Sequence, residues 1–90
     1  MLTGPQVRAA RVLLGWTQTK LAEKAELGFA TVQRAEARSG QVHGMVETLL
    51  KLKAALESGG VIFIEDDGSA GPGVRLAKSN RKIRQRRTVG

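Results

Sequence analysis

At 90 residues, with 15 Lys and Arg against 8 Asp and Glu, the chain has room for one core and carries a formal charge of +7. It holds no Cys and a single His, His43, so a disulfide framework, a thiolate metal site and a histidine cluster are all excluded. No apolar run approaches the roughly 18 to 20 residues of a membrane helix, and no basic-then-apolar leader opens the chain, so the expectation is a cytoplasmic protein with no membrane partner.

The charge is unevenly placed. Lys78, Arg81, Lys82, Arg84, Arg86 and Arg87 lie beyond Ala77 and every acid precedes them, so residues 1–77 are close to neutral and the end of the chain is a cationic tail. Such a tail suits an anionic polymer such as nucleic acid; the plainer alternative is a solubilising disordered end.

Taken in chain order, Thr3-Gly4-Pro5-Gln6 reads as a capping box, with Leu2 and Val7 as the hydrophobic staple around it. Val7, Ala10 and Leu14 then form the inward stripe of a first helix that Gly15 ends. Thr17 caps a second, short helix from Gln18 to Ala25 with Leu21, Ala22 and Ala25 inward. Trp16 is expected to close the junction of these two helices as a core residue. After Glu26 and Leu27 a third helix runs from Phe29 to Ala37, where Val32 and Ala35 share one face and Phe29, Ala30, Gln33 and Ala37 share the other.

Ser39 to Gly44 is a loop. A longer helix follows from Met45 to Ser58, with Met45, Leu49, Leu52 and Leu56 in a stripe, Glu47 and Lys51 paired along its side, and Gly59-Gly60 as its stop. The period then changes: Val61 to Ile64 is β-branched and aromatic, Asp67 to Gly73 is turn-rich, and Val74 to Ala77 alternates, which predicts a β-hairpin. Beyond Ser79 too few apolar residues remain to fold alone. The expected organisation is a helical domain over 1–58, a hairpin over 59–78 and a basic flexible tail over 79–90.

Two short helices joined by about three residues, with small or apolar side chains where they meet, have the geometry of a helix-turn-helix. In that motif the first helix braces across the DNA backbone and the second presents its exposed face to base edges. Pattern alone does not separate it from any tight helical pair. The stretch WTQTKLAEKAELGFATVQRAE, Trp16 to Glu36, is more specific: its Thr17-Gln18, Leu21-Ala22, Ala25, Leu27, Thr31-Val32 and Arg34 to Glu36 closely resemble the xenobiotic-response-element class of bacterial regulators, also called the phage Cro and repressor class. Residues 1–58 fit the whole helical domain of that class. The remainder, with Gly60-Val61, Phe63-Ile64 and Gly71-Pro72-Gly73-Val74-Arg75-Leu76, looks like a compact alphaproteobacterial subgroup of it.

The resemblance implies a mainly α fold, a repressor-like bundle of four to five helices followed by the hairpin. It also implies a sequence-specific transcriptional regulator, more often a repressor, with double-stranded DNA as partner, a homodimeric state, and no enzymatic activity, cofactor or metal. Phe29, Ala30, Gln33 and Arg34 would then read bases: Arg34 can hold guanine O6 and N7, Gln33 can pair with adenine N6 and N7, and Phe29 or Ala30 can pack on a thymine methyl. Thr17, Gln18, Lys20, Thr31, Arg38 and His43 would contact the DNA backbone. Arg11 on the first helix would pair with Glu36 at the end of the third.

Two positions depart from the class. Glu26 stands where a turn glycine is usual, so a residue other than Gly must adopt φ > 0 or the turn is rearranged. Gly28 stands where Ser or Thr usually caps the recognition helix, which leaves a helix donor without its side-chain partner. Phe29 and Ala30 also offer few hydrogen bonds. These features keep open a rival class, a protein-interaction module of the anti-activator or antitoxin kind; a further rival is sequence-blind nucleic-acid binding through the tail.

Other features have plain readings. Asp67 to Gly73 lacks the order of a phosphate-binding loop and is a hairpin loop. Glu65, Asp66 and Asp67 beside it are a solvated strand end. In the hairpin, Val61 and Phe63 face one way and Ile62 and Ile64 the other, so the helices can cover only one pair. The other pair is expected to meet a second copy, in an interface drawn from Val61, Ile62, Phe63, Ile64, Val74 and Leu76.

Overall fold

The computed structural model describes residues 2–38 and 46–78 and arranges them as four helices followed by a two-stranded antiparallel sheet. The mainly helical bundle with a terminal hairpin is therefore present. Met45, His43, the rest of the loop from Ser39 and the basic tail from Ser79 lie outside the described residues.

Helix α1 (Gly4–Leu13) starts at the expected capping box. Thr3 Oγ1 accepts from the Gln6 amide at 3.2 Å and Gln6 Oε1 accepts from the Thr3 amide at 3.0 Å, which satisfies two donors that no helical carbonyl can reach. Gly4, the first residue of α1, abuts the end of the third helix: a Cβ there would run into the carbonyl oxygens of Ala35 and Arg38. Gly15, at φ 72°, turns the chain away after Leu14.

Helix α2 (Gln18–Ala25) is capped by Thr17, whose hydroxyl accepts from the Lys20 amide at 3.0 Å. It ends at Glu26, which adopts the left-handed conformation with φ 58° and ψ 47°. That conformation costs a residue with a Cβ about 1 kcal/mol relative to Gly. The bond from the Leu27 amide to Ala22 O, 2.9 Å, helps to offset it by closing the turn. Helix α3 (Phe29–Ala37) starts at Gly28, whose carbonyl accepts the Thr31 and Val32 amides but which has no side chain to cap with.

Helix α4 (Val46–Gly59) includes Gly59 as its last residue, and the stop falls at Gly60 with φ 114°. Gly59 is small for a tertiary reason: an added Cβ would sit 2.8 Å from the Trp16 indole and from Leu14 Cδ1. The Glu47–Lys51 pair is present at 3.8 Å on an exposed face, where such a pair contributes a few tenths of a kcal/mol.

The core is built from one stripe of each helix. Val7, Leu21, Val32, Leu52 and Leu56 are fully enclosed, and Ala10, Ala22, Ala25, Ala35 and Ala55 between them let the helix backbones approach closely. Trp16 is half-buried against this cluster.

Strands β1 (Val61–Ile64) and β2 (Gly73–Leu76) pair with Val61 opposite Leu76 and Phe63 opposite Val74. Val61 is buried and Phe63 and Val74 pack on the core, so these three expected interface residues are turned to the protein's own helices. Ile62 and Ile64 face outward, 42% and 39% exposed, and Leu76 remains 42% exposed at the end of the inward row. The hairpin is held to α1 by Gln6, whose Nε2 donates to Ile64 O at 3.2 Å and Gly73 O at 3.0 Å.

The acids of the connecting loop form its turn. Asp66 Oδ1 accepts the Gly68 amide at 2.8 Å, and Asp67 Oδ1 accepts the Ser69 amide at 2.9 Å and the Ala70 amide at 2.8 Å. The amides of Ala70 and then Ser69 favour the ionised form and hold the Asp67 carboxyl below the usual carboxylate value.

Candidate nucleic-acid interface

Helix α3 has two unlike faces. Val32, Ala35 and Glu36 are buried, whereas Phe29, Ala30, Gln33, Arg34 and Ala37 are exposed. All four expected base-reading residues therefore share one solvent-facing surface, and Phe29 is 46% exposed on it. Among the described residues the hydrogen bond of Arg34 is a long contact of 3.5 Å from Nη2 to Thr31 Oγ1, which leaves its exposed side chain able to extend.

Glu36 anchors the opposite face. Its carboxylate accepts from Arg11 Nε at 2.7 Å, Arg11 Nη2 at 3.0 Å and Gln18 Nε2 at 3.1 Å, with the two charged side chains only 15% and 4% exposed for Arg and Glu. Arg11 Nη1 donates in addition to Trp16 O at 2.9 Å. The two-pronged Arg–carboxylate contact fixes orientation as well as distance, so α3 is set against α1, the start of α2 and the segment between them.

The expected backbone-contacting residues fall in different environments. Thr17 and Lys20 are exposed at the first turn of α2, with the Lys20 ammonium 6.0 Å from the Trp16 ring centroid, and Arg38 is exposed at the end of α3. Thr31 is half-buried. Gln18 is half-buried, and its amide nitrogen is engaged by Glu36 rather than extended into solvent. The expectation for His43 lies outside the described residues.

The sequence reading passed over Arg8. It lies one helical step before Arg11 on α1 and lines an open groove with Arg11, Gln18, Gln33, Glu36 and Ala37. The i, i+3 spacing of the two arginines was the available signal. Among the described residues, no group of three or more His, Cys, Asp or Glu side chains is placed to hold a metal ion, and no helix is long and apolar enough to cross a membrane. Compared with protein-family models and with curated proteins, the chain matches none.

Proposed function

We propose that the protein is a sequence-specific DNA-binding transcriptional regulator, acting as a repressor, in which α2 and α3 form a helix-turn-helix and α3 enters the major groove. The observation that carries this reading is the division of α3 into a face locked by Arg11 and Glu36 and a solvent-facing row of Phe29, Ala30, Gln33 and Arg34. A reading helix must hold its register to a fraction of an ångström while leaving its reading side chains uncommitted. Selection of bound sequences from a random duplex library tests the proposal: an enriched site supports it, and the absence of enrichment sinks it in favour of a protein-binding role or of sequence-blind binding through the tail. Exposed Phe29 beside Ala30 is the feature that favours that second reading.

Specificity and affinity should divide between helix and tail. Replacing Arg34 by Ala is expected to lose about 1–3 kcal/mol on the selected site and to relax one base position. Removing residues 79–90 is expected to weaken all duplexes alike and flatten the dependence of affinity on salt. Titrations of both variants against matched and mismatched duplexes check this, and a changed base preference on tail removal would reverse the assignment.

The proposed regulator is a homodimer through its hairpin. An isolated two-stranded sheet is marginally stable and leaves open edges, and Ile62 and Ile64 form an apolar outer face that none of the described helices covers. A two-fold mate on that face could place two recognition helices about 34 Å apart, one duplex turn. Sedimentation should show Ile62→Lys and Ile64→Lys monomeric with helicity retained, while Phe63→Lys loses stability because its side chain packs inward. A wild-type chain that stays monomeric at high micromolar concentration, with and without DNA, contradicts the dimer.

A further inference from the structure

Two arginines on α1 face the end of α3, and they are in opposite electrostatic situations. Arg11 is neutralised by Glu36 and donates from all three of its nitrogens. Arg8 is exposed, and among the described residues its guanidinium makes one long hydrogen bond, 3.5 Å from Nη2 to the carbonyl oxygen of Glu36. The groove it shares with Gln18, Gln33 and the Arg11–Glu36 pair therefore carries one uncompensated positive charge.

We infer that Arg8 binds a phosphodiester of the DNA, on the side of the reading helix supplied by α1; this rests on the DNA-binding reading above. The groove opens between the first turn of α2, marked by Gln18, and the exposed row of α3, marked by Gln33, so a strand read by that row passes over it. One excess charge matches the single charge of a phosphodiester. A planar guanidinium can present a fork of donors to two phosphate oxygens, and the contact to Glu36 O already restrains the side chain, which lowers the entropy lost on binding. The neighbouring Gln33 and Gln18 bring neutral amides to the same groove, so neither competes with the anion. The strand would then be held from three helices, with the α1 contact independent of base sequence.

The contact to Glu36 O also gives Arg8 a modest structural role at the α3 terminus, so a melting curve alone does not decide the question. The slope of affinity against salt does. Using the intact chain and a mixed-sequence duplex of about 20 base pairs, Arg8→Ala should lower the salt slope by about 0.9, equivalent to about eightfold weaker binding at about 0.1 M salt. Arg8→Gln, which keeps an amide donor for Glu36 O, should lose the same slope, and Arg8→Lys should keep it. Lys53→Ala, which removes one positive charge from α4 beside Glu57, serves as the control and should leave the slope unchanged. An unchanged slope in Arg8→Ala and Arg8→Gln, or an equal fall in Lys53→Ala, overturns the inference while leaving DNA binding intact. A wild-type chain that binds no duplex at about 0.05 M salt overturns the DNA-binding reading and this inference together.

Discussion

Replacing Glu36 by Ala is expected to remove about 3 kcal/mol of stability, and replacing Arg11 by Ala about 3–5 kcal/mol, because each leaves a charged partner in a largely enclosed site. The asymmetry follows from exposure. With Glu36 gone, the Arg11 side chain, 15% exposed, keeps Trp16 O and can turn toward water. With Arg11 gone, the Glu36 carboxylate, 4% exposed, keeps among the described residues the Gln18 amide.

A chain of this size has about 5–13 kcal/mol in total, so either change removes a large share and should lower the melting temperature by about 12 °C or more. Calorimetric or circular-dichroism unfolding of both single variants and of Arg11→Met with Glu36→Leu checks the mechanism. The double variant should recover most of the loss, since apolar replacement removes both stranded charges. A loss below about 0.5 kcal/mol in Glu36→Ala would mean that the pair behaves as an exposed one and does not anchor α3.

The second large effect is expected at Gln6, which is buried and uses its whole amide. Oε1 accepts from the Thr3 amide and lies 3.3 Å from the Thr3 hydroxyl, and Nε2 donates to the carbonyls of Ile64 and Gly73. Gln6→Ala removes the amide that donates to both carbonyls and accepts from Thr3, and should cost about 1–3 kcal/mol. Gln6→Glu should cost more at neutral pH, because a carboxylate oxygen would then face two carbonyl oxygens in a site with little water.

That second variant carries a pH signature. Burial and the two facing carbonyls disfavour the ionised form, so the folded-state pKa of the new carboxyl is raised above its unfolded value of about 4.3. Its protonated form can donate to one carbonyl. The stability recovered by protonation is thus fully present below about pH 4.3 and is lost as pH rises through the higher folded value. Unfolding measured between about pH 4 and 8, with amide exchange across β1 and β2, should show the hairpin loosening before the helices. A Gln6→Glu chain as stable as wild type at pH 7 would show that the amide does not hold the hairpin.

How much of this was readable beforehand differs by residue, and the range of the interaction explains the difference. The caps at Thr3 and Thr17 and the limits of α2 and α3 follow from contacts within a few positions, and the structure has them where the pattern placed them. The inward and outward alternation of Val61 to Ile64 needed only the two-residue period of a strand. The left-handed backbone at Glu26 was legible as one of two alternatives, and it is the one the structure has.

Other features had no local signature. Gln6 reads as the far corner of a capping box, and nothing nearby tells that its other end reaches Ile64 and Gly73. Gly4 and Gly59 look like ordinary helix-end residues until the carbonyls of Ala35 and Arg38, or the Trp16 ring, are brought against them. The engagement of Gln18 by Glu36 and the uncompensated charge of Arg8 arise in the same way.

The sequence by itself determined which segments form helices and strands, which face of each is apolar and where the chain turns, because these depend on propensity, capping and period over a few residues. Tertiary structure alone decided which polar side chains are shared between elements, which strand face lies on the core, and that Arg8 stands beside the Arg11–Glu36 pair. Those outcomes depend on distances between groups 18 to 67 positions apart, which no local pattern encodes.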